Sequence, residues 1–421
     1  MSRIDELIAA LCPEGVGFKM LEELGATYGG LTGKSKADFS AGNARFVSYK
    51  NIFNNLAVNL DANDFVKVGS GENQNFLVLG DVLFTGSSET PDEVGMSSVV
   101  IEKPSEAIYL NSFCFGYRFN NDALLLPTFS KYLFRSYFVR QQIVMCASGV
   151  TRFNISKKRF LKVCIPIPPT AIQYEIVKVL DTFTTLEAEL EAELEARRRQ
   201  YQYYRDALLT FEESTDASGN GEDGAEKNQW KPTGINRIDE LIAALCPEGV
   251  EFKRLGNVTR IRNGKDHKLL NDGHIPVYGS GGIMRYVDTY AYDKPSVLIP
   301  RKGSLGNLFY VDVPFWNVDT IFYTEVDESQ VLPKFLYYFL TTVGLGEMNQ
   351  AGGVPSQTQS VLNELKIPIP PLEVQARIVA VLDQFDTLVN DITAGLPAEI
   401  AARRQQYAYY RDRLFTFKEA V

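Results

Sequence analysis

Two stretches of the chain place apolar residues three and four positions apart in alternation, the spacing of a helix that packs along a seam against another helix. They lie within residues 165–212 and 367–421. Each begins at the same five residues, Ile-Pro-Ile-Pro-Pro, and proline suits the first turn of a helix. The pattern therefore predicts two helices of about 40 residues, each roughly 60 Å long. Gly395 and Pro397 predict a bend or break near the middle of the second helix.

The two helices belong to a tandem duplication. Residues 3–21 and 237–255 are identical except at two positions, and both halves close on a matching segment that contains Tyr-Tyr-Arg-Asp. The residues between these repeats, 22–164 and 256–366, share only a weak skeleton of short apolar runs. Near-identical frames thus enclose two divergent modules.

Each divergent module alternates short β-branched and aromatic runs with Gly, Asn and Asp, which predicts a compact α+β domain. Between the halves, an acidic, Gly-rich stretch without periodicity is typical of a linker. The predicted organisation is, in chain order, a first module at 1–164, a long helix at 165–212, the acidic linker at 213–235, a second module at 236–366 and a long helix at 367–421.

The distribution of charge matters more than its sum. The net charge is −9, but acidic residues are concentrated at 181–195 and 212–226, whereas residues 123–174 contain eight basic residues and no acidic one. Such segregation suits a polyanion partner in spite of the average. Five cysteines without a C-x-x-C pair, and no apolar run of about 18 residues, predict a cytoplasmic protein without a membrane span.

Motifs of catalysis are missing. The segment Gly-Leu-Thr-Gly-Lys-Ser at 30–35 resembles a phosphate-binding loop, but Tyr28 stands where that motif requires glycine. The only histidines, His267 and His274, lack cysteine or carboxylate company at the spacing of metal ligands. We find no nucleophile beside a base. The sequence therefore favours a binding protein with no catalytic residue and no metal site.

DNA is the partner that fits these features best. Basic and aromatic loops can neutralise phosphates and contact base edges, and two modules joined by long helices suit two short sites at a fixed separation. Because the modules diverge while their frames do not, the expected target is asymmetric.

The chain resembles the specificity (S) subunits of type I restriction–modification systems. The resemblance extends over nearly the whole chain and rests on the duplicated helices together with YGGLTGKSKADF at 28–39, VYGSGG at 277–282, LIPRKGSLGN at 298–307 and PFWNVDTIF at 314–322. After the prolines the family favours Leu-x-Glu-Gln, and residues 372–375 are closer to this pattern than residues 170–173.

The resemblance implies an α+β fold in which two α/β target-recognition domains are separated by two long antiparallel helices that form a coiled coil, with pseudo-twofold symmetry. It also implies a non-catalytic chain whose domains each recognise half of a split double-stranded DNA site. Two methylation subunits would methylate adenine N6 with S-adenosylmethionine, and two restriction subunits would add cleavage driven by ATP with magnesium. This chain itself would bind no cofactor.

The candidate DNA contacts are polar and aromatic residues of predicted loops, and the alternative role of each is that of a solvated charge or a turn residue. In the first module they are Lys34, Ser35, Lys36, Tyr49, Lys50, Asn51, Ser87, Ser88, Arg152 and Asn154. In the second they are Arg262, Asn263, Lys265, His267, Lys268, Tyr278, Ser280, Arg301, Lys302 and Ser304.

Candidate contacts to the methylation subunits lie at matched places near the ends of the two helices: Tyr203, Tyr204, Arg205, Tyr409, Tyr410 and Arg411. Their alternative role is packing, the default for aromatic residues at seam spacing. For the whole chain, the alternative is a silent or partnerless DNA-binding specificity module outside an active complex. An enzyme with an unrecognised active site is a more remote alternative.

Overall fold

The computed structural model describes residues 3–40, 42–121, 124–213, 233–348 and 355–420. The chain divides into two compact units. The first unit contains Met1–Leu190 and Ile400–Val421, and the second contains Glu191–Glu399. Each unit therefore combines one recognition module with parts of both long helical stretches, and the fold is α+β.

The first half of the chain contains seven α-helices among its described residues. They are α1 (Arg3–Leu11), α2 (Leu21–Leu24), α3 (Tyr49–Asn54), α4 (Pro127–Leu133), α5 (Tyr137–Met145), α6 (Lys157–Phe160) and α7 (Thr170–Leu209). The strands are β1 (Gly17–Met20), β2 (Gly25–Gly29), β3 (Ala44–Val47), β4 (Phe65–Val66), β5 (Val82–Thr85), β6 (Ser87–Ser88), β7 (Ser97–Val99), β8 (Tyr109–Leu110), β9 (Cys114–Phe119), β10 (Ala147–Ser148), β11 (Phe153–Ile155) and β12 (Cys164–Ile167).

The second half repeats this plan. Its helices are α8 (Thr233–Leu245), α9 (Leu255–Val258), α10 (Pro333–Thr342), α11 (Gln359–Asn363), α12 (Leu372–Asn390) and α13 (Gly395–Leu414). Its strands are β13 (Phe252–Arg254), β14 (Thr259–Asn263), β15 (Asp272–Gly279), β16 (Gly282–Val287), β17 (Ser296–Pro300), β18 (Phe309–Val311), β19 (Trp316–Asn317), β20 (Ile321–Val326) and β21 (Lys366–Pro368).

The central sheets of the two units have the same topology. Four antiparallel strands are ordered β2-β9-β5-β7 in the first unit and β14-β20-β17-β18 in the second. Beside each lies a three-stranded sheet with one parallel pair, β3 with β8 and β15 with β19. The duplication therefore extends into the modules, although their sequences diverge.

Each recognition module shares a hydrophobic core with the long helices. In the first unit, Phe84 and Phe115 of the sheet belong to the same buried cluster as Ile172 and Ile176 of α7 and Phe415, which follows α13. The second unit has an equivalent cluster in which sheet residues join Ile378 of α12 and the distal end of α7. The boundaries between the compact units therefore fall inside the long helices, at residues 190–191 and 399–400. The predicted domain boundaries remain predictions.

Helix α7 is continuous over 40 residues, and its first half packs against α13 within the first unit. Phe183 stacks on Tyr410 with ring centroids 5.4 Å apart. Glu187, one turn later in α7, accepts a hydrogen bond at 2.6 Å from Arg404, which lies earlier in α13. The two segments thus pack through residues of the predicted seam, and they run antiparallel, as the family resemblance implies.

The second helical stretch is broken. Helix α12 ends at Asn390 and α13 begins at Gly395, whose φ of +73° favours glycine. In the interruption, Asp391 Oδ1 accepts hydrogen bonds from the backbone N–H groups of Thr393 and Ala394 at 2.7 and 3.2 Å. The break predicted from Gly395 and Pro397 is confirmed.

The Ile-Pro-Ile-Pro-Pro segments do not start the helices directly, and this prediction was wrong in detail. Residues 165–167 belong to β12, which pairs antiparallel with β1, and 366–368 form β21, which pairs with β13. A proline is tolerated in a two-stranded edge pairing, where one side of the strand needs no donor. The helices begin after the last proline, at Thr170 and Leu372.

The predicted acidic linker at 213–235 lies mostly outside the described residues, which resume at Thr233, the first residue of α8. In the part of the chain that the structure describes, no helix is both long and apolar enough to cross a membrane.

Candidate nucleic-acid interface

In each unit, loops that are equivalent between the two units meet at one edge of that unit's own central sheet. After β17, Arg301 N donates a hydrogen bond at 2.8 Å to the carbonyl of Thr320 in the turn before β20. After β5, Gly86 N donates in the same way at 2.9 Å to the carbonyl of Phe113, in the turn before β9. Phe113 and Thr320 thus occupy equivalent backbone positions.

A third segment completes each edge. Ile155 N donates at 3.0 Å to the carbonyl of Gly86, and Gln357 N donates at 3.0 Å to that of Arg301. The next residue in each case caps a short helix through its hydroxyl: Ser156 for α6 and Thr358 for α11. We call these loops the recognition edge, which comprises residues 86–88, 111–113 and 152–155 in the first unit and 301–304, 317–320 and 355–357 in the second.

A glycine brings the strand before each edge close to it. A Cβ atom on Gly30 would lie 2.0 Å from the carbonyl oxygen of Asn111, and one on Gly264 would lie 2.0 Å from that of Val318. The next residue then donates its N–H to the carbonyl at the end of the strand before that turn: Leu31 to Leu110 of β8 at 2.7 Å and Lys265 to Asn317 of β19 at 2.9 Å. Any side chain at either glycine would push this strand away from the edge.

The edge of the first unit contains an open cleft of about 460 Å³, with Ser87, Phe113, Arg152, Asn154 and Lys157 in its lining. The Arg152 guanidinium donates two hydrogen bonds to Ser87 Oγ, at 3.2 and 2.9 Å, and lies 5.8 Å from the centre of the Phe113 ring. The cleft thus combines an exposed cation, an exposed amide and an aromatic ring, which suits a surface that contacts nucleic acid.

Several predicted contacts of the first unit have structural roles at this edge. Tyr49 donates its hydroxyl at 3.0 Å to the carbonyl of Ser87. Asn51 is only 7% exposed, and its side chain bonds the backbone of Asn59 through both its amide and its carbonyl oxygen. Ser88 is also buried, whereas Lys50 is exposed. Burial leaves Asn51 and Ser88 poorly placed for a base contact.

Lys34, Ser35 and Lys36 lie together on a polar loop after β2. Lys34 is hydrogen-bonded to Glu72. Asp38 accepts hydrogen bonds from the N–H and hydroxyl of Ser35, which hold the pKa of its carboxyl below the ordinary value. Lys36 is exposed. Of this group, Lys36 is the side chain most accessible to a phosphate.

In the second unit, Lys302 and Ser304 are exposed on the loop after β17. Arg301 is half-buried, with its guanidinium 5.8 Å from the centre of the Phe322 ring. Ser280, from the turn between β15 and β16, joins the same place because its N–H donates at 3.3 Å to Thr320 Oγ1. Candidate DNA contacts that are far apart in the sequence, Ser280 and Arg301, therefore lie close together around Thr320.

Tyr278 and Arg262 are placed differently. Tyr278 is half-buried beside Phe309 and Phe315, and burial raises the pKa of its hydroxyl. Arg262 pairs with Glu325 across neighbouring strands, with Nε 2.9 Å from Oε1. Asn263 Oδ1 accepts a hydrogen bond from Gln359 at 3.3 Å. These contacts occupy polar groups that the sequence assigned to DNA.

A loop rich in basic residues leaves the second edge at Lys265. Trp316 anchors it by donating its indole N–H at 3.1 Å to the Lys265 carbonyl, while the Lys265 and Lys268 side chains are exposed. His267 Nδ1 is buried and has no hydrogen-bond partner among the described residues. Lys265 and Lys268 are therefore accessible to a phosphate, whereas His267 is half-buried.

The candidate partner contacts fall into two classes. Tyr204 is 5% exposed and packs on Phe385, and Tyr410 stacks on Phe183, so both belong to helix packing. Tyr203 and Tyr409 are 53% and 59% exposed. Arg205 and Arg411 pair with the aspartates that follow them, Asp206 and Asp412. Tyr203 and Tyr409 are the members of the set that a partner protein can reach most directly.

The basic run of residues 123–174 does not face solvent as a whole. Arg135 and Arg140 donate to backbone carbonyls inside the first unit, and burial lowers the pKa of each guanidinium to about 10. Lys131 pairs with Asp181 at 2.8 Å. The exposed remainder includes Lys157, Lys158 and Arg159 on α6 beside the cleft.

Sequence reasoning missed Phe113, Lys157, Thr320 and Gln357 at the edges. Nothing in the sequence near Phe113 marks it as different from a core phenylalanine, and only the alignment of strand ends reveals its place. The charge of α6 was a usable signal. Within the described ranges, no group of three histidine, cysteine, aspartate or glutamate side chains is placed to hold a metal ion.

Comparison with known proteins gives a consistent result. The sequence model of the type I restriction modification DNA specificity domain matches residues 13–196 and again residues 247–402. The chain is similar to a putative type I restriction enzyme specificity subunit of Haemophilus influenzae, with 29% identity over 305 residues that cover 67% of this chain and 71% of that protein. It is 35% identical to the EcoR124I/EcoR124II specificity subunit of Escherichia coli over 290 residues, 63% of this chain and 64% of that protein.

Solved structures share the fold. The crystal structure of a type I restriction-modification S subunit from M. genitalium has a TM-score of 0.53 at 15% identity, with 95% of this chain and 96% of that chain covered. A chain from a structural study of complex assembly and conformational transition of the type I system has a TM-score of 0.60 at 16% identity, with 95% and 97% covered.

Proposed function

The chain belongs to the type I restriction–modification DNA specificity family, whose sequence model matches both halves of the chain. We propose that it recognises a bipartite, asymmetric DNA site. Each recognition edge would contact one half-site. The chain is a non-catalytic specificity component, and it would direct adenine N6 methylation and restriction that partner subunits carry out.

The main support for this proposal is that the two units repeat the same backbone contacts at their recognition edges while the side chains there differ. The edges use the same inter-loop hydrogen bonds at Gly86 and Arg301 and at Ile155 and Gln357. Yet the first edge has a buried Ser87 and exposed Phe113 and Asn154 at the positions where the second has an exposed Lys302, an internally bonded Thr320 and Ser356. Two different sets of groups in one framework suit two different half-sites.

The gap between the half-sites would depend on the helices. Helix α7 is continuous over 40 residues and has residues in both units, so we expect its length to influence the gap between the half-sites. Four residues add about 6 Å to a helix, the length of between one and two base pairs at about 3.4 Å each. The repeat Leu-Glu-Ala-Glu within residues 186–197 is a natural unit of such a change.

The partners proposed are two methylation subunits and two restriction subunits on double-stranded DNA, in the cytoplasm. S-adenosylmethionine, ATP and magnesium would bind to those subunits and none of them to this chain. The exposed Tyr203 and Tyr409 are the proposed points of contact with the methylation subunits.

Methylome sequencing tests the proposal. The chain is expressed with its cognate methylation subunit in a host free of DNA methylation. We expect N6-methyladenine at a split, asymmetric motif with a fixed gap. A complex that assembles and binds no specific site would reject the proposal. A complex that binds a split site without modifying it would favour the alternative of a silent or partnerless specificity module.

A further inference from the structure

The cleft of the first recognition edge has an apolar feature that the fold does not need. The Phe113 side chain is 63% exposed, although it lies between polar loops. Its backbone carbonyl holds the edge together by accepting from Gly86 N, but the ring itself takes no part in that contact.

The equivalent residue of the second unit shows what this position requires for structure. Thr320 accepts the same kind of backbone hydrogen bond through its carbonyl, and its hydroxyl also accepts from Ser280 N at 3.3 Å. The Thr320 side chain is therefore occupied inside its edge. The Phe113 ring is turned outwards into the cleft and is available to a ligand.

The surroundings of the ring limit the choice of ligand. The Arg152 guanidinium lies 5.8 Å from the ring centre, and the exposed amide of Asn154 lines the same cleft. A ligand must therefore present an apolar group close to hydrogen-bonding groups and negative charge. In the major groove of DNA, the only apolar group on a base edge is the methyl group of thymine, and phenylalanine is among the side chains that contact it. Its partner adenine offers the donor and acceptor that an asparagine amide can pair with.

We propose that Phe113 contacts a thymine methyl group, so that the cleft of the first unit recognises an A·T base pair. This inference rests on the proposed function, because it names the base pair that one recognition edge selects. Asn154 lines the same cleft, and its amide, which donates one hydrogen bond at 3.3 Å to the Arg152 carbonyl, is the group that we assign to the adenine of the same pair. The Arg152 guanidinium lies over the ring and would supply positive charge for a nearby phosphate.

The experiment uses the full chain with its methylation subunits and duplexes that contain the recognised site. Each thymine of the first half-site is replaced in turn by deoxyuridine, which lacks only the methyl group. For the wild-type chain we expect one replacement to weaken binding about fourfold, the effect of removing one buried methyl-sized group. For Phe113→Ala the same replacement should change binding less than 1.5-fold, because the contact is already absent.

Controls separate this contact from general damage. Phe76→Ala removes a ring of the same unit that is 53% exposed and lies outside the cleft, so it should retain the fourfold effect. Phe113→Leu keeps an apolar side chain and should retain part of it. Equal unfolding temperatures of the variants would exclude a loss of fold.

The outcomes are distinguishable. If the wild type binds a split site but Phe113→Ala shows the same response to every deoxyuridine replacement, the inference is wrong and the proposed function stands. The same conclusion holds if no replacement affects the wild type. If the wild type has no sequence preference at all, the proposed function fails together with the inference.

Discussion

The two recognition edges share their backbone contacts and differ in the side chains that these contacts present. Gly30 and Gly264 allow an equivalent close approach of the backbone to the edge, and in each unit equivalent carbonyls accept hydrogen bonds from equivalent N–H groups. On this common base one edge has Phe113 and Ser87, and the other has Thr320 and Lys302. The comparison shows that main-chain atoms hold the edge in place, which frees the side chains to vary without loss of the fold.

The junction between each module and its helix behaves in the opposite way, since its side chains are repeated. Gln173 accepts from Leu126 N and donates to the carbonyls of Leu124 and Pro168, at 2.8 to 3.0 Å. Gln375 makes the equivalent contacts with Leu332, Gln330 and Pro370. A contact from a buried tyrosine to a partly exposed aspartate recurs too, from Tyr132 to Asp181 and from Tyr338 to Asp383. Here the side chains themselves hold the structure together, so we expect substitutions at these positions to destabilise the fold.

The largest expected effect comes from lengthening α7, the helix that has residues in both units. Inserting one Leu-Glu-Ala-Glu unit within residues 186–197 should widen the gap of the recognised site by one or two base pairs and leave both half-sites unchanged. Affinity for the original site should fall towards the non-specific level, about a thousandfold or more, because only one half-site can then be in register. Methylome sequencing would show the new gap, and an unaltered gap would contradict the role of the helix.

The repeated junction predicts the next largest effect. Gln173→Leu leaves buried backbone groups without partners and should lower the free energy of unfolding by about 3 kcal/mol. Gln375→Leu should cost a similar amount because its contacts match. Denaturant unfolding measures both, with Gln202→Ala on an exposed position of α7 as the control. A loss in only one half would show that the junctions are not equivalent.

A smaller effect is expected at the divergent edge of the second unit. Lys302→Ala should weaken binding about 5- to 100-fold and relax the preference at one base pair if Lys302 contacts a base. Lys265→Ala should weaken binding to all sequences and reduce the dependence on salt concentration by about one counterion. Binding titrations at several salt concentrations distinguish the two. Wild-type affinity in both variants would show that this edge is not the DNA surface.

The smallest effect is expected for Arg262, although its residue type alone suggests a phosphate contact. Its guanidinium is engaged by Glu325, so Arg262→Ala should change DNA affinity less than about twofold. Glu325→Gln is the informative partner variant, since it would release the arginine and should strengthen binding slightly. A loss like that of Lys265→Ala would mean that Arg262 leaves Glu325 when DNA binds.

Features with a long period could be predicted from the sequence. The seam of α7, the duplication and the break at Gly395 each depend on patterns that repeat or on a residue with one conformational effect. The strands formed by the Ile-Pro-Ile segments were missed because their pairing with β1 and β13 is set by residues about 110 to 150 positions away.

Site residues were harder to predict because burial and pairing are decided by tertiary contacts. Serine is common in exposed turns, yet Ser87 is only 7% exposed and its hydroxyl accepts a hydrogen bond from Arg152. Phenylalanine is a typical core residue, yet Phe113 is exposed. Lys302, Ser304 and Lys265 were placed on exposed loops by glycine and charge alone, and the structure places them there.

The central claim is that a shared frame presents two independent readers of DNA, and exchanging the modules tests it most directly. Residues 256–366 are replaced by residues 22–164, so that the chain carries the first module twice, and the variant is expressed with the methylation subunit. We expect the methylated motif to contain the first half-site on both sides of the gap. A motif that keeps the original second half-site, or an assembled complex without any motif, would contradict the claim.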